Sequence, residues 1–418
     1  MPVLEIEEIG VNGDGISHHE GNSWYIPFAA PGDILNVRQT ESRGKGFAGE
    51  IVDIQDASSD RIKPACRHFG LCGGCSLQHI SDPALSDWKQ SRIRQALEKA
   101  GLEVPVIHPT ITSPEHSRRR VEFVASKRKK GVMIGYHLRR SHQIFDVGDC
   151  PVLTPDLLSL VKPMRHMLSK IMPRNSRARL TLTRTINGPD LLISGTLSDD
   201  LAMRETVAEF GREAKLSRTA IFDETEKRLE VIAEVKPALI QIGDHQVALP
   251  PGGFLQATEE GQETLISLML EALPHDAKVL DLFCGCGSFT LPASGKTSSV
   301  HGIEGDESLV SALRTIANNQ MLPVSVETRD LFRRPLMPEE FRPFNTVVID
   351  PPRAGAAAQV AELAQSAIQK VIFISCNPAS FARDAKTLCD AGFSLGAITP
   401  IDQFRWSPHT ELFAVLER

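Results

Sequence analysis

Two short segments carry side chains able to do covalent and proton-transfer chemistry. Asp350-Pro351-Pro352-Arg353 and Ser375-Cys376-Asn377-Pro378 each follow an apolar, β-branched run that reads as a strand. Proline fixes φ and lacks an N–H, so it ends a strand cleanly. Both segments then lie at carboxyl ends of strands, where ligands bind in open α/β sheets. A lone cysteine is by default a small buried hydrophobe. Just past a strand, Cys376 instead opens onto the crevice and becomes a candidate nucleophile. Cys389, on a helical stretch after Thr387-Leu388, keeps the default reading.

A third segment, Asp281-Leu-Phe-Cys-Gly-Cys-Gly-Ser-Phe-Thr290, sits at a strand-to-helix turn. Gly285 and Gly287 let the backbone approach a ligand closely at a helix N-terminus. Thr290 stands where a dinucleotide fingerprint has its third glycine. Glu304 ends the next strand, where a carboxylate can hold both hydroxyls of a ribose. Asp330 follows the third strand and can reach an adenine edge. Together they imply an adenosine ligand without a pyrophosphate, S-adenosylmethionine (SAM). Cys284 and Cys286 flank Gly285 too tightly to share a metal and read as small turn residues.

The elements that must position these groups form an alternating strand–helix series from about residue 251. Strands are expected at 278–283, 299–304, 324–328, 345–350, 370–375, 394–404 and 410–416, with helices after most of the first five. That is a doubly wound α/β domain with a mostly parallel sheet. Only a few residues join the last two strands, which predicts an antiparallel hairpin and a methyltransferase-type Rossmann sheet. Upstream, residues 1–57 hold four or five short strands broken by Asn12-Gly13-Asp14-Gly15 and Pro31-Gly32-Asp33, the pattern of a small β-barrel. A helix is expected over 82–101, capped by Ser81 and stopped by Gly101. Residues 105–250 alternate strands and short helices. The domains are thus expected at 1–57, 58–250 and 251–418.

The 418 residues are 41% hydrophobic and 23% charged, which excludes a disordered or small disulfide-stapled chain. No apolar run is long enough to span a membrane, and the first residues lack the basic-then-apolar order of a secretory signal, so a cytoplasmic, monomeric protein is expected. The net charge is −6, yet residues 116–140 hold nine basic residues against Glu122 alone. Such a stretch is either a solvated hairpin or faces an anion. Cys66, Cys72, Cys75 and Cys150 could serve structural zinc or an iron–sulfur cluster. Zinc pairs are spaced by two to four residues, whereas five separate Cys66 from Cys72.

The pairing of Asp-Pro-Pro-Arg with Ser-Cys-Asn-Pro resembles the RNA 5-methyluridine methyltransferases. Asp402-x-Phe404…His409-x-Glu411 is similar to their final motif, and Phe254-Leu-Gln256 to the start of their Phe-x-Gln-x-Asn element. Residues 1–57 resemble a TRAM domain, an RNA-binding β-barrel. The cysteine spacing, with Cys150 later, resembles the [4Fe-4S] ligands of the ribosomal-RNA branch. The resemblance implies Cys376 as nucleophile and Glu411 as base. It places Gln256 and Asp350 at polar edges of the cofactor or the uracil, so that the expected cofactor set is Gln256, Phe283, Gly285, Gly287, Glu304, Asp330 and Asp350. It also implies 23S ribosomal RNA as partner, with a single-stranded or loop uridine as target. Thr258 stands where Asn is usual, Ser380 where Thr is usual, and Arg405 and Ser407 replace the usual Pro and Thr.

The chemistry agrees with these residue types. Uracil C5 is too weak a nucleophile to attack a methyl sulfonium unaided. A thiolate adding at C6 makes C5 an enolate carbon, and a base then removes the C5 proton. Other readings are transfer-RNA methylation, amino-methylation, or a non-catalytic RNA-binding iron–sulfur protein. The barrel and cysteines argue against the first, Arg353 in place of an aromatic against the second, and retention of Cys376 and Glu411 against the third.

Overall fold

A computed structural model describes the chain except for Lys45, Arg140 and Asp199 and the side chain of Arg43. The N-terminal six-stranded sheet runs Val3–Glu5, Ile34–Arg43, Gly46–Asp56, Asn22–Pro27, Asp14–His19, Glu8–Ile9. Its two edge strands are separated in the chain by only Ile6 and Glu7, so the sheet curls until its edges reach one stretch of chain. Leu4, Ile6, Trp24, Ile26, Leu35 and Val37 fill the inside. Six strands stand where four or five were expected, and the first two, Val3–Glu5 and Glu8–Ile9, are short because the chain crosses between edges there.

The expected helix is Asp82–Lys99. The Ser81 hydroxyl accepts from the Ala84 N–H, Pro83 lies in its first turn, and Gly101 follows at φ +74°. Its apolar face is divided. Leu85 and Trp88 pack with Leu77, Ile80 and Trp406, whereas Ile93 and Leu97 enter the core of the C-terminal sheet. The helix also holds the N-terminal sheet, through Trp88 Nε1 to the Ile9 carbonyl at 2.8 Å and Arg92 to the Val11 carbonyl at 2.7 Å.

The middle of the chain builds a seven-stranded sheet, in which Arg120–Arg128 and Gly131–His137 form the basic hairpin. The C-terminal eight-stranded sheet has the order Val324–Thr328, Ser299–Glu304, Lys278–Leu282, Thr346–Ile349, Lys370–Ser375, Glu411–Glu417, Ser394–Asp402, Ile111–Thr112. The first five are parallel, and Glu411–Glu417 is antiparallel to both neighbours. The seven expected strands are all present, with ends shifted by at most two residues. The eighth, Ile111–Thr112, pairs with Ile401 and Asp402 and is supplied from well upstream. Among the described residues no helix is long and apolar enough to cross a membrane.

Candidate active site

Parallel strands place their carboxyl ends together, and the candidate groups gather at that edge. Ser375 pairs with Leu412, so Cys376 and Glu411 occupy the next positions outward on adjacent strands. Asp350 follows Ile349, which pairs with Leu282 and Phe373. Asn377 caps the following helix, Pro378–Asp390, by accepting from the Ala379 N–H. The Asn377 side-chain N–H also donates to the Arg353 carbonyl at 3.0 Å. The Ser380 hydroxyl donates to that same carbonyl at 3.2 Å. The two proline-containing turns are therefore pinned to each other.

A chain of carboxamides joins the two carboxylates. Gln256 Nε2 donates to Asp350 Oδ2 at 3.1 Å. Gln403 Nε2 donates to Gln256 Oε1 at 2.9 Å and to Glu411 Oε2 at 3.2 Å. Gln256, Gln403 and Glu411 are all buried. Gln403 was not among the expected site residues, although it lies inside the final motif. Thr258, the departure from the family pattern, is the cap of helix Glu259–Ala272: its hydroxyl accepts from the Gly261 N–H at 3.1 Å and contacts the Ser113 hydroxyl at 2.8 Å.

Burial dominates the electrostatics. It raises the Asp350 and Glu411 carboxyls well above the usual carboxylate range, and the charge of Asp350 raises Glu411 further. Two such carboxylates titrate as a pair. Burial, then the charges of Glu411 and Asp350, push the Cys376 thiol up to about 11, while Arg353 pulls it down. Asp281 is raised to about 7, chiefly by burial. Its Oδ2 accepts from the Thr290 hydroxyl at 2.5 Å, and its buried Oδ1 has no partner.

These features fit SAM, whose sulfonium and ammonium are cationic. Asp281, Glu304, Asp350 and Glu411 line one edge of the sheet, and an orphaned buried carboxylate oxygen calls for a donor or cation. Gly285 has φ +56°, and a Cβ there would point into open space, as a ligand-facing turn requires. Gly287 does something else. Its φ is +99°, and a Cβ would lie 2.6 Å from Leu313, so this glycine admits packing rather than ligand. Glu304 accepts from the N–H groups of Gly285 at 3.0 Å, Gly305 at 2.6 Å and Asp306 at 3.0 Å. Three of its four acceptor positions are used, leaving one rather than two for a ribose. Asp330 Oδ1 accepts from Phe332 and Arg333 N–H groups, and its Oδ2 lies 3.5 Å from the exposed Arg333 guanidinium. Phe283, at φ +62°, pairs its ring with exposed Phe332 at 5.5 Å between centroids. The buried Cys284 and Cys286 are turn residues, and partly buried Cys389 packs in the core.

The four remaining cysteines line one cavity, closed by Phe69, Tyr136 and Phe145. Cys66 accepts a bond from the His68 N–H at 3.4 Å, and Cys72 from the Gly74 N–H at 3.3 Å. Burial raises the thiols of Cys66 and Cys72, and pushes Cys75 up to about 12. Among the described residues, no group of three or more His, Cys, Asp or Glu is placed to hold a metal ion.

The basic stretch is largely built into the structure. Arg119 is buried and bonds the Gln256 carbonyl and Gln262 Oε1. Lys127 Nζ donates to the carbonyls of Ser169 and Met172 at the end of helix Val161–Ile171. Arg139 pairs with Asp14 at 2.5 Å. Arg140 lies outside the described residues.

The family model described as tRNA (Uracil-5-)-methyltransferase matches residues 224–418. A Brucella suis biovar 1 protein named as an uncharacterized RNA methyltransferase is 41% identical over 99% of this chain and 97% of its own. A Vibrio vulnificus protein named 23S rRNA (uracil(1939)-C(5))-methyltransferase RlmD is 29% identical over 99% of this chain and 95% of its own. The crystal structure of Pyrococcus abyssi tRNA (uracil-54, C5)-methyltransferase with S-adenosyl-L-homocysteine superposes with a TM-score of 0.77 at 20% identity. The alignment covers 99% of this chain and 100% of that one.

Proposed function

The chain belongs to the RNA (uracil-5-)-methyltransferase family, and from that premise we propose that it methylates a uridine of 23S ribosomal RNA through a covalent bond between Cys376 and C6. The observation that carries the covalent step is the placement of Cys376 and Glu411 on facing positions of adjacent antiparallel strands. SAM, when bound, supplies the methyl group to C5. The Cys376 thiolate adds to C6, breaking the C5=C6 π bond and leaving the electron pair as an enolate at C5. After C5 is methylated, Glu411 takes the C5 proton. The released pair re-forms C5=C6 and expels the thiolate. Gln403 and Gln256 hold the two carboxylates apart and oriented. Exposed Phe254, two residues before Gln256, offers a face for a base that has left its stack.

Full-length similarity to a protein named as a 23S ribosomal-RNA enzyme supports that substrate. The N-terminal sheet is read as a TRAM-like RNA-binding module, since small curled β-sheets of this kind hold oligonucleotides. Cys66, Cys72, Cys75 and Cys150 would hold a [4Fe-4S] cluster. Four cysteines lining one cavity match the number of thiolates that such a cluster takes. Backbone N–H groups aimed at sulfur stabilise thiolates bound to a cluster. Its contribution is structural, because uridine methylation transfers no electron. The test is to map 5-methyluridine in ribosomal and transfer RNA from cells lacking the gene. Loss at one 23S position supports the reading, and loss only from transfer RNA contradicts it.

A further inference from the structure

The turn from Asp402 to Thr410 supplies Gln403 and leads directly into Glu411, yet its supports come from far upstream. Lys89 of helix Asp82–Lys99 pairs with Asp402, and both side chains are almost completely buried. The same Asp402 oxygen accepts from the Phe404 N–H at 3.0 Å. Arg405 reaches Asp82 at 2.8 Å and the Ser113 carbonyl at 3.3 Å. The N–H groups of Ser76 and Leu77, just after Cys75, both donate to the Trp406 carbonyl at 3.0 Å. Trp406, at φ +60°, is buried against Leu77, Ile80, Leu85 and Trp88.

A buried ammonium–carboxylate pair is a weak source of net stability, because desolvation offsets the attraction. Its value lies in direction: one fixed cation holds one fixed anion. Here the anion adjoins Gln403, which bonds Glu411. We propose that Lys89 is a positioning residue for proton abstraction, holding the Asp402 turn so that Glu411 and Gln403 meet uridine C5. This rests on Glu411 being the base.

The test separates methyl transfer from adduct breakdown. Lys89→Met strands a buried carboxylate, so the companion is Lys89→Met with Asp402→Leu, which removes both charges at similar volume. Full-length enzyme, target RNA fragment and radiolabelled SAM are mixed, and the denaturation-resistant methylated protein–RNA species is followed with time. In both variants SAM affinity by calorimetry stays within about twofold of wild type, while the methylated adduct decays at least tenfold more slowly. Asp82→Asn, an exposed change that loosens Arg405 on the same turn, gives a smaller slowing and guards against misfolding of the buried variants. Normal adduct decay in the double variant, or in Asp82→Asn should the others not fold, overturns the proposal. Glu411→Gln runs alongside: if it accumulates no methylated adduct, the base assignment itself has failed; if it does and the Lys89 variants do not, only the positioning role has failed.

Discussion

Cys376 and Glu411 stand opposite each other one position beyond Ser375 and Leu412, the last paired residues of strands Lys370–Ser375 and Glu411–Glu417. In the proposed reaction, Cys376 attacks C6 and Glu411 takes the C5 proton, and groups working on neighbouring carbons of one ring need this closeness. The antiparallel insertion of Glu411–Glu417 beside the parallel strands provides it. An all-parallel sheet would send the next strand's carboxyl end, rather than its start, to this edge.

The pH dependence follows from burial. Glu411 is pushed up to about 8 by burial and by the charge of Asp350. Below that value it is protonated and cannot take the C5 proton. Single-turnover breakdown of the methylated adduct should therefore speed up as pH rises through about 8, and a pH-independent rate would contradict the assignment.

Removing Gln403 should injure the step that uses Glu411. Gln403→Leu leaves the Gln256 oxygen and the Glu411 carboxylate without their shared donor. A lost buried partner of this kind costs about 1–3 kcal/mol. Spent in the transition state, that is roughly 5- to 150-fold in kcat. Steady-state kinetics should show kcat falling more than the KM for SAM rises.

The C-terminal strands were legible because apolar, β-branched runs ended at glycine, proline or acidic residues, so their bounds moved by two residues at most. Gln403 was not legible. Its role arises from bonds to Gln256, 147 positions away, and to Glu411 across a turn. The Ile111–Thr112 strand has only two residues, too few for a periodic signal. Charge counting also misled at Lys127 and Arg119. Local sequence cannot show that one ammonium would cover the open carbonyls of a helix end and that one guanidinium would be buried between sheets.

That difference changes what the basic hairpin should do. Arg128, Lys129 and Lys130 are the tip residues left to meet RNA. Replacing these three with Gln should lower the salt dependence of RNA binding by about 0.7 in slope per phosphate lost, for single-stranded RNA. The melting temperature should not move. Lys127→Ala should instead lower the melting temperature. The reverse pattern, measured by filter binding and thermal melts, would contradict this division.

SAM affinity should fall when Glu304 becomes Ala, because the carboxylate holds the Gly285 turn and keeps one acceptor position for the ribose hydroxyl proposed there. The loss is about 1.5–3 kcal/mol, as for hydrogen bonds to charged groups. Gly285→Ala should also weaken SAM binding, whereas Gly287→Ala should chiefly lower stability through its contact with Leu313. Calorimetry and melting curves distinguish the three.

Anaerobically purified protein should carry iron and sulfide in a ratio near one, and Cys75→Ser should lose both. Stoichiometric zinc without sulfide would contradict the cluster.

The most direct measurement is a denaturing gel of enzyme, RNA and radiolabelled SAM. Wild type with 5-fluorouridine at the target should give a stable methylated protein–RNA species, since fluorine does not leave as a proton does. Glu411→Gln should give the same species with ordinary uridine. Cys376→Ala should bind RNA yet give neither adduct nor product. Methylation or adduct formation by Cys376→Ala would contradict the central claim that this thiol opens the uracil ring to methylation.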